Sequence, residues 1–456
     1  MSEINATPGA IQDIDAARAR EMRSYPRVTA AYCEKHYTTP QRNIQMLTRE
    51  FIHDSLYHPH YGYFSKHALI FSSRQPYNFG ELRDSAELLA VMGDQYHEIE
   101  QELDDVSNIP RQLWHTPTEL LKPWYGRSVA RYIVDEFKSQ HSGDADTPLV
   151  MYEVGAGNGT LMMNIMDYLC DHEPELYSRA QYNIIEISTK LAKQQRWQLQ
   201  ESVAATNRAD GGGRHQNVNI INKSIFDWDE MVGTPCFFIA MEVIDNFAHD
   251  VVRYDYKTGA PYQGFAALRA DGEFEEWFEP VSDPLIKRYL EVRDSTKYVP
   301  PALRRPWARS IRWRLPFAPN LTAAEYLPTR AFQFCEVLHR YFPKHRLVLS
   351  DFFELPDTIA GQDAPVVQTR FRGTMVPCTT YLVQPGWFDI FFPTNFELLR
   401  DVYHATGRKH AGRDERARIL TQREFSRRYA ELEQTRTRSG ENPMLDFYEN
   451  NKLLLS

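Results

Sequence analysis

Cysteine is scarce in this chain: five residues of 456, at Cys33, Cys170, Cys236, Cys335 and Cys378, with no C-x-x-C pair among them. That scatter excludes a disulfide framework and a cysteine-rich zinc site, and it reads as free thiols of a reducing compartment. No metal-ligating cluster stands out. Long apolar runs are missing too, since none approaches the roughly 20 residues that span a bilayer. A basic excess is also absent. The net charge is -9, which speaks against general nucleic-acid binding. The N-terminal MSEINATPGAIQDIDAARAR has no apolar h-region, and it carries Glu3, Asp13 and Asp15 where a mitochondrial presequence is rich in arginine and poor in acids.

What the chain does have is length and aromatics, 13% of its residues, enough to bury a sizeable core. The length predicts one large α/β domain with elaborations, or two domains. Residues 1–45 read as a polar extension, and 46–145 as a helical region. Within the latter, MLTREFIHDSLYHPHYGYF starts as a helix that stops at His58-Pro59, Leu82, Leu88, Leu89 and Met92 fall at helical spacing, and Tyr125 to Phe137 form another helix. The turn cluster SGDADTP closes this region.

Beyond it, apolar runs alternate with helical stretches: LVMYEV, YNIIEI, VNIINKSI and CFFIAME. Continuous apolar strands separated by helices predict an α/β fold with a doubly wound parallel sheet, buried on both faces. This core spans 146–400, with GGG at 211–213 in a loop and an insertion at about 261–330 that breaks the alternation. In the insertion, RRPWARSIRWRLPF sets Arg304, Arg305, Arg309, Arg312 and Arg314 beside Trp307 and Trp313. It reads as a solvated amphipathic segment with its tryptophans packed inward, or as a docking patch for an acidic partner. TTYLVQPGWFDIFF predicts a β-hairpin, and RDERARILTQREFSRRYAELEQ a charged helix in a C-terminal region of 401–456.

LVMYEVGAGNGT is a strand, an acid, a glycine-rich turn and a helix start. Gly155, Gly157 and Gly159 let the backbone turn tightly and approach a ligand, with amides and the helix end aimed at it. The third glycine of a dinucleotide fingerprint would fall at Thr160, and the Gly-Lys-Ser/Thr of a P-loop is absent. What remains, E-x-G-x-G-x-G, resembles motif I of the class I S-adenosylmethionine-dependent methyltransferases. That resemblance implies a Rossmann-like fold and S-adenosyl-L-methionine as cofactor. It implies Glu153 near the ligand's ammonium, the glycine loop under its methionine part and ribose, Glu186 for the ribose hydroxyls and Asp227 for the adenine amine. Each acid alone is as readily a solvated strand end, but three in order on successive strands favour the ligand.

The likeness extends further. HPHYGYF, FGEL at 79–82, EVGAGNGT, IIEIS, the E-x-x-D of Glu242 to Asp245, YLPTRAFQFCEVLHRYFPKHRLVLSDF and the G-x-x-D-I of Gly386 to Ile390 resemble the MidA-like family over roughly residues 45 to 400. Its members include a mitochondrial protein-arginine methyltransferase of respiratory complex I assembly. The resemblance thus implies arginine methylation of a partner protein, such as a complex I subunit, and a mitochondrial address.

In that arrangement the glycine loop and the acids Glu242 and Asp245, after the fourth strand, face one crevice, where strand order reverses. Methyl transfer needs an aligned acceptor above all, and carboxylates can hold a guanidinium bidentately. Glu242 is therefore expected to orient the acceptor, with Asp245 as its helper, although Asp245 equally suits an N-cap worth roughly 1 kcal/mol. Tyr61 and Tyr63 are expected to wall the acceptor pocket, and His249 to be a packing or surface residue. Two alternatives stay open: a methyltransferase acting on a small molecule or another side chain, and a non-catalytic assembly factor that binds the cofactor.

Overall fold

The computed structural model describes residues 20–456 except 67, 74, 105–111, 115, 142–145, 211–214, 305–319, 357–362, 372–373 and 412–416. The arginine–tryptophan segment beyond Arg304 and the glycines at 211–213 lie outside the described residues.

Seven strands form the largest sheet of a mixed α/β architecture: β1 (Val150–Val154), β2 (Gln181–Ile185), β3 (Val218–Ile221), β4 (Cys236–Met241), β5 (His345–Phe352), β6 (Arg418–Thr421) and β7 (Asn451–Leu455), in the order β6-β7-β5-β4-β1-β2-β3. β1 to β5 run parallel to one another, and β7 runs antiparallel to both β5 and β6. The apolar run of β4 shows why such strands carry no polar alternation. Phe237, Ile239 and Met241 enter one core cluster, with residues of α1 (Trp124–Gln140) and α2 (Thr160–His172). Phe238 and Ala240 enter a second, on the opposite face, with α4 (Thr329–Tyr341) and the helix Phe396–Ala411. Between β2 and β3 runs α3 (Thr189–Asp210). Each large apolar side chain buried this way contributes about 1.5–3 kcal/mol, and helices on both faces leave no room for a polar stripe.

A second sheet is antiparallel and joins distant parts of the chain. Ile44–Leu47, Pro261–Leu268, Asp250–Tyr254 and Glu325–Leu327 lie in that order, and Phe274–Pro280 pairs with Pro261–Leu268. The departure from strand–helix alternation thus starts near 250 rather than 261, and its sheet includes a strand from the N-terminal side. Of the expected extension 1–45, the part from residue 20 packs on the body. Ala30 and Cys33 of the helix Ala30–His36 are buried against the cluster holding Phe51 and Ile52 of the helix Thr48–Tyr57.

Two sequence expectations are corrected. The stretch 379–392 is no hairpin. Only its Asp389–Phe391 is a strand, and that strand pairs antiparallel with Val366–Phe371, which also pairs with Thr374–Cys378. Tyr381 and Val383 are buried instead, and the chain turns at Gly386, whose φ is +83°. The charged C-terminal helix is also shorter than expected. Arg418–Thr421 is β6, and the helix begins only at Gln422, after a capping box between Thr421 and Glu424. That T-x-x-E signal is visible in the sequence.

Gly386 also locks two distant motifs together, because a Cβ built there would lie 1.8 Å from the carbonyl oxygen of Tyr61. Gly386→Ala is therefore expected to destabilise the protein by about 3 kcal/mol or more, combining left-handed strain with a forced backbone shift. A thermal melt checks this, and an unchanged midpoint would mean that the turn relaxes freely.

Candidate functional site

The strand order reverses between β1 and β4, and the loops after both strands meet at one cavity of about 1250 Å³. After β1, Gly155 and Gly157 have φ of +71° and +53°. Side chains there would be strained, and a Cβ would lie 2.7 Å from Val243 at Gly155 and 2.6 Å from Ile70 at Gly157. Both glycines form cavity wall. Gly159 has φ +77° and precedes α2 as its N-cap.

Two side chains from elsewhere hold this loop. Buried Glu119 accepts from Asn158 Nδ2 at 2.9 Å and Thr160 Oγ1 at 2.7 Å, and Lys122 Nζ lies 3.4 Å from its other oxygen. Gln195 Nε2 on α3 donates to the Gly157 carbonyl at 2.8 Å and to Glu186 Oε2 at 3.2 Å. Glu186, at the end of β2, lines the cavity and accepts from the Ser188 amide at 2.8 Å. Burial pushes its carboxyl above the ordinary range. Neither Glu119 nor Gln195 could be found from local pattern, since each acts across the fold. Removing the Glu119 side chain (Glu119→Ala) is expected to weaken cofactor binding about tenfold, some 1.4 kcal/mol, by freeing Asn158 and Thr160. Calorimetry checks this, and an unchanged affinity would mean that the loop holds itself.

The opposite wall is acidic. Glu242 follows β4 with φ +49°, unusual for a residue with a side chain and a mark of local strain. Its amide donates to the Ser350 carbonyl at 2.8 Å, and its Oε1 accepts from Ser350 Oγ at 3.3 Å and Asn451 Nδ2 at 3.4 Å. Burial, then the neighbouring Asp245, push its carboxyl up to about 8. Asp245 sits within the single 3-10 turn Ile244–Asn246 and caps nothing. The cap is Asp351, whose Oδ2 accepts from the amides of Ile244 and Asp245 at 2.9 and 3.1 Å. Asp245 is 4% exposed, forms cavity wall, and its Oδ1 finds no hydrogen-bond partner among the described residues. Burial pushes it up to about 7.

Behind the turn, Asn246 Nδ2 donates to Asp389 Oδ1 at 3.0 Å, the Tyr57 hydroxyl donates to the Asn246 carbonyl at 3.2 Å, and the Phe392 amide donates to the Asp245 carbonyl at 2.9 Å. The residues flanking three separated motifs, Tyr57 before HPHYGYF, Asn246 after E-x-x-D and Phe392 after G-x-x-D-I, thus tie these segments together.

Other expected residues lie elsewhere. Glu153 is buried beneath the wall, accepting from the Tyr182 hydroxyl at 2.9 Å, and burial raises it to about 8. Asp227 is exposed at the end of the turn Ile225–Asp227, while its neighbours Ile225 and Phe226 form the wall. Tyr61 stacks on His58, with ring centroids 3.7 Å apart, and donates to Asp54 at 2.6 Å. Tyr63 is buried in the core. The wall here is Tyr57 and Phe64 instead, because beyond the helix end at Tyr57 the Tyr61 hydroxyl turns to Asp54 and Tyr63 packs into the core. His249 is a packing residue, stacked 3.7 Å from Phe392 and pushed down to about 3 by burial.

Residues 128–413 match the family model described as "Putative S-adenosyl-L-methionine-dependent methyltransferase". A Schizosaccharomyces pombe protein named "Protein arginine methyltransferase NDUFAF7 homolog, mitochondrial" is 24% identical over 380 residues, 79% of this chain and 76% of that protein. A Burkholderia thailandensis crystal structure with S-adenosyl-homocysteine bound aligns with a TM-score of 0.51, covering 100% of this chain and 95% of the other at 14% identity. At that identity the likeness concerns the fold alone.

Proposed function

The chain belongs to this family of S-adenosyl-L-methionine-dependent methyltransferases, and from that premise we propose that it methylates an arginine side chain of a partner protein. The single observation that carries the acceptor reading is Asp245 Oδ1, an unpartnered carboxylate oxygen in a cavity wall where an acceptor must meet the cofactor. Arg330 shares the cavity but pairs with Glu50 at 3.3 Å, and burial, not a cation, dominates Glu242 and Asp245. A guanidinium supplies the missing charge and fits carboxylates in a bidentate way.

The residues present fit the cofactor: the glycine loop is a cradle that a Cβ would fill, and Glu186 presents a buried carboxylate at the same cavity. We read the seven-stranded sheet as the doubly wound, Rossmann-like core of the class I enzymes, with 146–400 as the methyltransferase domain. Gly155, Gly157 and Gly159 then form the loop under the methionine part and ribose, and Glu186 takes the ribose hydroxyls. Glu153 lies beneath the wall, held by the Tyr182 hydroxyl. Phe226 and Ile225, rather than the exposed Asp227, flank the adenine.

When bound, S-adenosyl-L-methionine supplies an electrophilic methyl group on a sulfonium. Glu242 orients the guanidinium and draws positive charge away from the attacking nitrogen, and Asp245 steadies its other edge. Held by the glycine loop and Glu186, the cofactor would give its methyl group to the acceptor nitrogen, the electron pair of the broken carbon–sulfur bond staying on sulfur. The acceptor nitrogen then sheds a proton, and Asp245, poised at about 7, is matched to receive it and pass it to water. The name of the Schizosaccharomyces pombe relative supports a mitochondrial protein substrate, for which a complex I subunit is the reading we favour. No described helix is long and apolar enough to cross a membrane.

The test is to incubate the purified protein with methyl-labelled cofactor and matched arginine, lysine and neutral peptides, then to hydrolyse and identify the labelled amino acid. Label in methylarginine is the expected result. Label on lysine, or on a small molecule only, would overturn the arginine reading.

A further inference from the structure

Glu242 and Asp245 do not stand alone. Asp351 and Asp389 are both 0% exposed and lie directly behind them. Asp351 receives the two amides of the acid turn together with the Phe352 amide at 2.7 Å. Asp389 receives Asn246 on one oxygen, while its Oδ2, like Asp245 Oδ1, has no hydrogen-bond partner among the described residues. Four carboxyl groups therefore share one turn of backbone at a cavity wall. The titratable groups packed against them are Tyr57, Tyr125 and Tyr448; the same cavity is lined by Glu186 and by His53, Lys122, Lys190, Lys223 and Arg330, the last paired with Glu50 at 3.3 Å. Burial and the neighbouring acids, more than any of those cations, set the state of the four carboxyl groups.

Four adjacent, buried carboxylates cannot all be ionised without a counter-charge, so an empty cluster must hold protons. Protons held this way belong to the group of acids rather than to one residue. We propose that Asp351 and Asp389 join Glu242 and Asp245 in one cation-receiving cluster, which exchanges protons for the positive charge of the acceptor. The inference rests on the methyltransferase reading of Glu242 and Asp245 as acceptor ligands, and it deepens that reading. The acceptor must arrive as a cation, and its affinity must climb with pH. Asp389 is a positioning residue here: it acts on the acceptor through Asn246 and through the charge it adds beside Asp245.

The experiment uses the full chain saturated with S-adenosyl-homocysteine, whose uncharged sulfur leaves the probe as the only added cation. N-ethylguanidinium, ethylammonium and the neutral isostere N-ethylurea are titrated by calorimetry between pH 6 and 8. Infrared difference spectra on adding each probe follow the protonated-carboxyl band. One exchanged proton gives an affinity gain of about tenfold per pH unit, levelling off once the cluster is ionised. The expected result is that slope for N-ethylguanidinium, loss of the carboxyl band on its addition, and no binding of the urea.

Asp389→Asn keeps an oxygen for Asn246 and is expected to flatten the slope and weaken the cation about tenfold, with S-adenosyl-homocysteine affinity unchanged. Cation binding without pH dependence overturns the proposal and leaves the arginine reading intact, as does an Asp389→Asn protein indistinguishable from the parent. Binding of neither cation, or equal binding of the urea, overturns it as well. If label in the peptide assay lands on lysine while ethylammonium binds with the slope, the cluster stands and the arginine reading falls.

Discussion

Glu242→Gln is expected to lower methyl transfer by about 10²–10³-fold, the range for removing one preorganised electrostatic group from a reacting centre, while cofactor affinity stays within about twofold. Glutamine keeps an oxygen that accepts from Ser350 and Asn451, so the wall keeps its shape and only the charge is lost. The same variant should be more stable in alkali. Glu242 in the folded protein holds its proton to about 8, against an ordinary value of 4.5. Between those pH values the folded chain carries a proton that the unfolded chain has released, so stability falls as pH rises. Glutamine removes that slope. Its melting temperature should exceed the parent's by about 1–3 °C at pH 8 and match it near pH 5. Lost activity with an unchanged alkaline midpoint would show that Glu242 is not the strained acid described here. Retained activity would remove it from the acceptor site.

Gly157→Arg is expected to weaken S-adenosyl-L-methionine binding by at least about 100-fold, or 2.8 kcal/mol, in a protein that still folds. The left-handed φ of +53° alone costs roughly 1–2 kcal/mol, and the first side-chain carbon already meets Ile70 at 2.6 Å. The remainder of the arginine has only the cavity to occupy. Gly93→Ala is the matched control, because a Cβ there meets nothing within 4 Å in the helix Ser85–Asp104. Removing helical glycine should add up to about 1 kcal/mol of stability without touching the cofactor. Saturable binding by the arginine variant at the parent's affinity would mean that the loop is not the cradle.

Local signals were legible in the sequence where one stretch of chain performs the task. The E-x-G-x-G-x-G turn, Glu186 of YNIIEI and the abrupt acids after CFFIAM each stand out within a few residues, and the structure brings them to one cavity. Hidden from that reading were the residues that work across the fold: Glu119 clasping the glycine turn from some 40 positions upstream, Asp351 capping the turn that Asp245 was expected to cap, and Asp389 behind it. The tyrosines went astray for a different reason. After His58-Pro59 neither helical nor strand periodicity holds, so the facing of Tyr61 and Tyr63 was undetermined until Gly62 and Gly386 were seen to fix the turn. For the C-terminal helix the fault lay in weighting: charge density was read as helix, although the Thr421/Glu424 capping box marked the later start.

The position of β7 bears on how the molecule is made. It pairs with both β5 and β6, yet it is synthesised after either. During translation the edge of β5 stays open until residues 451–455 emerge, and β6 has no partner among the earlier strands. An unpaired, apolar edge is where nascent chains stick to one another. The interval between β5 and β7 is therefore when this protein most needs a chaperone, and a slow codon there would leave that edge open longer.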